Sequence, residues 1–483
     1  MKPHYDRIRQ VKTKSGATAI QVGFYKGKLF QLKKHIGSTK ERKKIKELRN
    51  IAYEYIRTHS PQLPLNFNPQ SEEILYKRGV KVQTARLKVA YDYLSLIFDR
   101  IGFSRLDNDC LKHFSLMRVL EPASKIKSIE LLDKYFGIVY RKTTAFRKLL
   151  LFPSLKEKAV TTAIDFAKKN LAFDFSLVFY DVTTLYFEAE KGDNFRLSGF
   201  SKDNKINQPQ ILVGLLVEKV GFPVYFNLFS GNTFEGKTFI PFILEIKNKF
   251  KIEKFTVVAD AGMLSKDNLE HLEKNNLNYI VASRVKTLNL TEVKNTASFL
   301  NRRDGKIKKD DGVIYEYSVK RAAKDKVDND KQIEKAKYYL DNPSKVFKRS
   351  RFISSSNNIF HLDEKTIEKY RLLEGIKGYK TNIKNLKSKL IIERYRDLWR
   401  VEQSFRISKN DLEARPIYHR KKAAIESHIL IVFIALCMTK VIEIEKKQSI
   451  KKIIDHLKDR WTVTLKDEIS GNTLEIELNK IPH

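Results

Sequence analysis

Three short runs of alternating apolar and polar residues open the chain. Residues 8–11, 17–25 and 29–32 are separated by the turn signals Ser15-Gly16 and Lys26-Gly27, so a small β meander is expected. A charged helix follows at about residues 39–58. Pro61, Pro64 and Pro69 then remove backbone donors and bias their predecessors toward extended geometry, which marks a linker and a first domain boundary. Beyond it the period changes to three and four. Leu87, Ala90, Tyr91, Leu94, Ile97 and Phe98 share one face of an amphipathic helix, and further helices are expected at 109–120, 124–136 and 143–150.

The period switches again after residue 175. Residues 176–187, 211–217 and 224–229 read as strands, the last two joined as a hairpin through Val220-Gly221-Phe222-Pro223. A helix at 237–250, a short buried strand at 255–259, a Ser265-capped helix to 275 and a strand at 279–282 follow. Three antiparallel strands, a helix, a strand, a helix and a strand is the order of a ribonuclease-H-like α/β layer fold. Residues 285–390 do not continue the alternation. They hold a strand candidate at 313–319, a charged helix at 325–340 and short extended pieces to 381, the pattern of an inserted, β-rich α+β domain. Helices are expected at 389–410 and 423–442. The divisions are therefore 1–70 for meander, helix and linker, 71–170 for a helical region, 171–284 and 391–445 for two parts of a catalytic core, 285–390 for the insertion, and 446–483 for a tail, basic and then strand-like.

Composition narrows the partner. Lys and Arg number 93 against 57 Asp and Glu, a net charge of +36 spread along the whole chain. Each phosphate neutralised by a basic side chain releases condensed counterions, so such a field favours nucleic acid over the alternative of a merely lysine-rich composition. The Lys and Arg of region 71–170 fit DNA recognition and helical packing or dimerisation equally. Cys110 and Cys437 are distant from each other and from any His pair at ligand spacing, which argues against a zinc site or disulfide framework. The apolar run at 429–438 is well short of a membrane span and reads as a buried helix, and residues 1–4 lack the apolar core of a signal peptide. No membrane partner is expected, and the reducing cytoplasm is the expected compartment.

The candidate chemistry lies in three carboxylates. Asp181 interrupts the apolar strand Val178-Phe179-Tyr180-Asp181-Val182, where burying it unpaired is costly. Asp260 closes the run at 255–259, at the carboxyl end of a strand, where open α/β folds place their ligands. The expected topology makes these two strands neighbours. Two oxygen ligands together suit Mg²⁺ or Mn²⁺ and would repel one another without it. On the helix at 389–410, Tyr395, Glu402 and Lys409 recur every seven residues, close to two helical turns, and so share one face, with Arg406 one turn beyond Glu402. Each aspartate alone fits a bland strand-end role, and Glu402 with Arg406 fits a surface pair. The combination favours a metal site.

The Tyr395, Glu402 and Lys409 spacing resembles the signature helix of the IS-four superfamily of bacterial insertion-sequence DDE transposases. The resemblance extends through residues 395–402 and the blocks around Asp181 and Asp260, covers about 85–440, and is nearest to the sixteen-thirty-four branch. The arginine of the family motif is Leu398 here, with Arg396 and Arg400 nearby. The family carries a β-rich insertion between its second Asp and its Glu, and 142 residues separate Asp260 from Glu402 here. The resemblance implies cut-and-paste cleavage and strand transfer at transposon ends. It implies two Mg²⁺ or Mn²⁺ ions on Asp181, Asp260 and Glu402, and DNA contacts by Tyr395, Arg400, Arg406 and Lys409. It also implies double-stranded terminal inverted repeats and target DNA as partners, and a homodimeric synaptic complex. In some relatives a Trp of the insertion stacks on a flipped base. Trp399 and Trp461 lie outside the insertion, so Tyr315, Tyr317 or Phe352 is expected to serve. The rival readings are a metal-dependent nuclease that never joins and a DNA-binding protein derived from an inactive transposase.

Overall fold

The computed structural model describes residues 6–27, 29–59, 80–188, 192–199, 208–233, 235–263, 265–342, 351–356, 359–467 and 473–479. The proline-marked linker lies outside them. Two compact units form, Met1–Gln83 with Leu465–Leu474, and Thr84–Thr464 with Glu475–His483.

In the first unit the expected meander is present as β1 (Arg7–Lys12), β2 (Thr18–Lys26) and β3 (Leu29–Thr39), all antiparallel. The helix Arg42–His59 lays Ile45, Leu48, Ala52 and Ile56 against Ile20 and Val22. Apolar residues at helical spacing thus meet one face of the central strand.

The second unit follows β4 (Val80–Arg86) with a helical bundle over 88–170. Side-chain caps set its boundaries. Asn108 accepts from Leu111 N at 2.9 Å, and Ser124 accepts from Lys127 N at 3.2 Å, satisfying amides that the first helical turn leaves open. Next comes a mixed sheet. β5 (Val178–Tyr186) pairs antiparallel with β6 (Gln210–Val217), and β6 with β7 (Pro223–Ser230). On its other side β5 runs parallel to β8 (Thr256–Ala259), which runs parallel to β9 (Asn278–Ser283). This is the strand order expected from the sequence.

The segment 285–390 extends that sheet. β10 (Ile307–Asp310), β11 (Val313–Tyr317) and β14 (Ile376–Thr381) continue it in the order β10-β11-β14-β9, all antiparallel, so the three strands add to the core sheet where an inserted domain was expected. The hairpin β12 (Ile353–Ser356) and β13 (Ile359–Leu362) and the helices Leu290–Leu300, Val319–Asp341 and Glu364–Leu372 complete the segment. The pairing of β14 with β9 is fastened by Thr381 Oγ1, which donates to Tyr279 O at 2.7 Å, and by Asn382, whose side chain accepts from Tyr279 N at 3.1 Å.

Helices cover both faces of the sheet. On one, the helix Glu235–Phe250 sets Phe239 and Phe242 against Tyr180, whose hydroxyl lies 2.9 Å from Thr238 Oγ1. Gly214 permits this approach, since a Cβ there would meet Tyr180 Oη at 3.1 Å and Phe242 at 3.2 Å. On the other face lie the segment 388–411 and the helix Lys422–Lys446. The latter is long and apolar enough to cross a membrane by length and composition, yet nearly all of it is buried within this fold as its central helix. The tail begins with a further helix, Ile450–Lys458, which buries Ile450, Ile453, Ile454 and Leu457.

Candidate active site

The helix expected over 389–410 is broken twice. It runs as Ser388–Arg396, restarts as Trp399–Arg406, and widens into a π turn at Ile407–Asp411. At the first break Leu398 N bonds to Tyr395 O at 3.0 Å and Val401 N to Leu398 O at 3.1 Å, three-residue bonds that tighten the coil. Tyr395, Leu398 and Val401 are all buried. The turn tightens where these three are buried, so the uniform seven-residue register of Tyr395, Glu402 and Lys409 does not survive as one straight helical face.

The aspartates sit where expected. In the parallel ladder Val178 faces Val257 and Phe179 faces Val258. Two residues further along both strands come Asp181 and Asp260, level with each other on strands about 4.8 Å apart. Asp181 is half-buried and its Oδ1 accepts from Val182 N at 2.8 Å. Asp260 is exposed just past the end of β8, with Oδ1 accepting from Gly262 N. A Cβ on Gly262 would come within 3.2 Å of that same oxygen, so glycine clears the carboxylate. At the end of β9, Arg284 donates to Ala261 O at 3.2 Å and steadies the turn.

The segment Ser388–Arg396 packs on β8 and β9, and Trp399–Arg406 on β5 and β6. Glu402 is exposed there and Tyr395 is buried, its ring 5.1 Å from Tyr379. Burial first, then the carboxylates of Asp260, Glu402 and Asp181 in that order, push the Tyr395 hydroxyl well above the ordinary phenol range, with Arg321 opposing. Charges act in this way only at short range. The helix that carries Glu402 thus packs beside the strand that carries Asp181, and the segment that carries Tyr395 packs on β8, which leads into Asp260.

Their oxygen-only chemistry fits a hard divalent cation. Both cysteines are buried elsewhere. Among the described residues no three His, Cys, Asp or Glu side chains are drawn together as a closed ligand set.

The four DNA-contact candidates separate. Tyr395 lies among the carboxylates. Lys409 lines a narrow apolar cleft with Thr183, Leu185 and Phe405, and Thr183 is the next residue after Asp181 on the same face of β5, so Lys409 borders the site. Arg400 turns away. Its guanidinium lies 5.0 Å over the Trp399 ring, its Nε donates to Asp397 at 3.3 Å, and its charge acts on Glu218 in the β6–β7 turn. Arg406 is exposed on a separate cleft lined by Asp411, Lys440 and Glu443. The aromatic residues expected to stack on a base are not available for it. Tyr315 and Tyr317 are buried with Leu300 and Ile376, and Phe352 is buried edge-on against Tyr370 at 5.3 Å.

Sequence reasoning missed a cation beside the site. Lys377 on β14 places its ammonium 4.4 Å from the centre of the Tyr395 ring. The alternation Lys377, Tyr379, Thr381 was the available signal, but nothing local says that β14 joins the core sheet.

The transposase DDE domain family matches residues 173–438, more than half of the chain. This chain belongs to that family. Among solved structures, the Mos1 transposase paired-end complex with left transposon end is similar at 12% identity and a TM-score of 0.16, covering 39% of this chain and 57% of that one. The Mos1 mariner paired-end complex with Mn is similar at 12% identity and a TM-score of 0.15, covering 48% of this chain and 72% of that one. This chain thus spans little more than half of the first of these relatives. No curated protein matches it.

Proposed function

We propose that this transposase-family chain binds the inverted-repeat ends of an insertion sequence and moves them by metal-dependent cut-and-paste, within the IS-four superfamily and its sixteen-thirty-four branch. The observation that carries the reading is the placement of Asp181 on β5 and of Asp260 just past the end of the adjacent parallel β8, with the helix that carries Glu402 packed on β5 and β6. The strand order β7-β6-β5-β8-β9, antiparallel then parallel, supports a ribonuclease-H-like core.

Asp181, Asp260 and Glu402 would hold two Mg²⁺ or Mn²⁺ ions. Such ions, when bound, lower the pKa of an attacking hydroxyl and stabilise charge on the phosphorus. A water oxygen forms the new P–O bond as the P–O3′ bond breaks, freeing a 3′-hydroxyl, and its proton passes to solvent. That hydroxyl then attacks a phosphate of the target duplex and displaces the target's own 3′-oxygen. Tyr395 is held protonated by its surroundings, which suits donation of a hydrogen bond to a phosphate oxygen and opposes a covalent phosphotyrosine. Lys409 supplies positive charge along the strand, and Arg406 and Arg400 meet the duplex, if at all, away from the reacting phosphate. Two ends require a synaptic homodimer, and the reaction takes place in the bacterial cytoplasm, at the nucleoid.

The test is a supercoiled plasmid carrying the sequences that flank the gene, incubated with Mg²⁺. Excised and rejoined products are expected. Cleavage without joined product would make the chain a nuclease, and DNA binding without cleavage would make it a binding protein.

A further inference from the structure

The position that carries arginine in the family motif is Leu398 here, buried at the tightened turn and unable to meet a phosphate. We propose that Lys377, with Arg321 behind it, is the cation that holds the reacting strand's phosphate in this site. The inference rests on the proposed DNA cleavage and adds a residue from outside the signature helix.

Lys377 is half-buried on β14 and faces Glu316 across the β11–β14 ladder. That neighbour attracts it but forms no ion pair with it. Glu316 already receives Arg396 Nη2 on Oε1 at 2.5 Å and the Tyr379 hydroxyl on Oε2 at 3.0 Å. Among the described residues Lys377 forms no ion pair or hydrogen bond; its ammonium rests between two rings, 4.4 Å from the centre of Tyr395 and 5.4 Å from that of Tyr379. Ring faces attract the ammonium but replace water only in part, and burial lowers the Lys377 pKa first, then Arg321, with Glu316 opposing and Arg396 adding to the lowering. Glu402 acts in the opposite direction on the same ammonium; β14 pairs with β9, and Arg284 at the end of β9 holds the turn beside Asp260, so Lys377 stands next to the carboxylate site.

Arg321 completes the arrangement. From the helix Val319–Asp341 it acts on both Lys377 and Tyr395, while its Nε meets Asp325 at 3.3 Å. Arg396 is paired to Glu316 and Arg321 to Asp325, so among the described residues Lys377 is the cation of this border left without an ion pair. A phosphodiester bridging carboxylate-held cations on one side and this border on the other would meet positive charge on both sides. A DNA phosphate is the ligand such a geometry fits, because its two non-bridging oxygens can be shared in that way.

The alternative is that Lys377 merely props the Tyr395 ring. Lys377→Met keeps the aliphatic stem and removes the charge; Lys377→Arg keeps the charge. Two measurements on the full chain separate the roles: the single-turnover rate of Mn²⁺-dependent nicking of a supercoiled plasmid, and the salt dependence of binding to a 40-base-pair duplex in Ca²⁺. Lys377→Met is expected to slow nicking about 100-fold, the size of losing one preorganised donor to a charged transition state. It should also lower the salt slope by about one phosphate contact. Lys377→Arg should keep nicking within about 10-fold of wild type, since it retains the charge. Arg321→Met, at a more exposed position, should lose about 5-fold, as a more distant charge. Nicking and salt slope both unchanged in Lys377→Met would overturn the proposal, as would an equal loss in Lys377→Arg and Lys377→Met. If the wild type nicks no DNA while Lys377→Met binds the duplex as it does, the reading of the site itself fails, and the proposal with it.

Discussion

The two sides of the proposed active site are built differently. Asp181 rides on β5 and Asp260 follows the end of the adjacent β8, so a ladder of backbone hydrogen bonds two residues earlier limits their separation. Glu402 arrives on a segment that tightens at Leu398 and widens at Ile407–Asp411, held to the sheet by side-chain packing. A sheet fixes a pair of residues through its register; a bent helix fixes one through the fit of its buried face. The aspartate side should therefore tolerate changes in surrounding packing, and the glutamate side should register them.

The largest effect comes from removing either side's chemistry. Asp181→Asn, Asp260→Asn and Glu402→Gln are each expected to lower Mg²⁺-dependent strand cleavage by about 10³-fold or more, the scale on which a charged catalytic contact acts. Duplex affinity in Ca²⁺ should stay within a few-fold of wild type. Cleavage at wild-type rate by one variant would remove that residue from the site and leave the comparison with a single side.

Next comes the arginine of the family motif. Leu398→Arg would place a guanidinium at a site only 5% exposed, and should destabilise the second unit by about 3 kcal/mol in a denaturant titration, as burial of an unpaired charge does. Cleavage should fall with it. Unchanged stability and faster cleavage in Leu398→Arg would mean that the turn can open toward DNA, and that the packing fit described for the glutamate side is looser than its burial implies.

The difference between the two sides is also the difference in what the sequence made legible. The strand expected at 255–259 is β8 at Thr256–Ala259, and Ser265 caps the next helix as read, its Oγ accepting from Asn268 N at 3.0 Å. Short apolar runs bounded by turns and caps carry their own limits. Their neighbours are then constrained by chain order, which is why the Asp181 and Asp260 strands could be paired in advance. The helix at 389–410 carried a competing pattern. Tyr395, Leu398 and Val401 at spacing three bend it, and no 3.6-residue reading separates that from an ordinary apolar face. Tyr315 and Tyr317 show the same limit in a strand: alternation placed them on one face of β11 but did not say that this strand is buried on both faces. Lys377 was invisible for a third reason, since the pairing of β14 with β9 joins residues about a hundred positions apart.

Acid should strain the glutamate side before the aspartate side. The chain after the π turn is anchored by His428, whose Nε2 donates to Ala414 O at 3.0 Å while Nδ1 accepts from buried Lys125 at 3.2 Å. Nearby His419 is pushed down to about 4, by burial first and then by Lys125 and Arg118. His428 is lowered in the same sense. A histidine depressed in the folded state is protonated first in the unfolded chain, so stability is full above about pH 6.5 and falls as pH drops toward the folded value. Between pH 7 and pH 5, His419 alone should account for about 2 kcal/mol, read from urea titrations at the two pH values. His419→Gln should flatten that slope. An unchanged slope would place the acid sensitivity elsewhere.

The smallest effect tests the packing of the glutamate helix most directly. Ser404 is fully buried, and its Oγ reaches Gly221 O at 3.0 Å in the β6–β7 turn and Arg400 O at 3.0 Å in its own helix. A hydroxyl bonded in this way contributes about 1 kcal/mol, and Ser404→Ala should cost that much in stability because Gly221 O loses a partner. If the glutamate side is set by fit, cleavage should drop by more than DNA binding does, about 5-fold against no change, since a small misplacement of Glu402 weakens the reacting geometry without touching the duplex. Substituting a buried residue of the aspartate side at a higher cost of about 2 kcal/mol, Val258→Ala on β8, should leave the remaining folded protein cleaving at nearly the wild-type rate, because the backbone ladder leading into Asp260 is kept. Equal loss of cleavage in the two variants would show that register gives the aspartates no more protection than packing gives the glutamate.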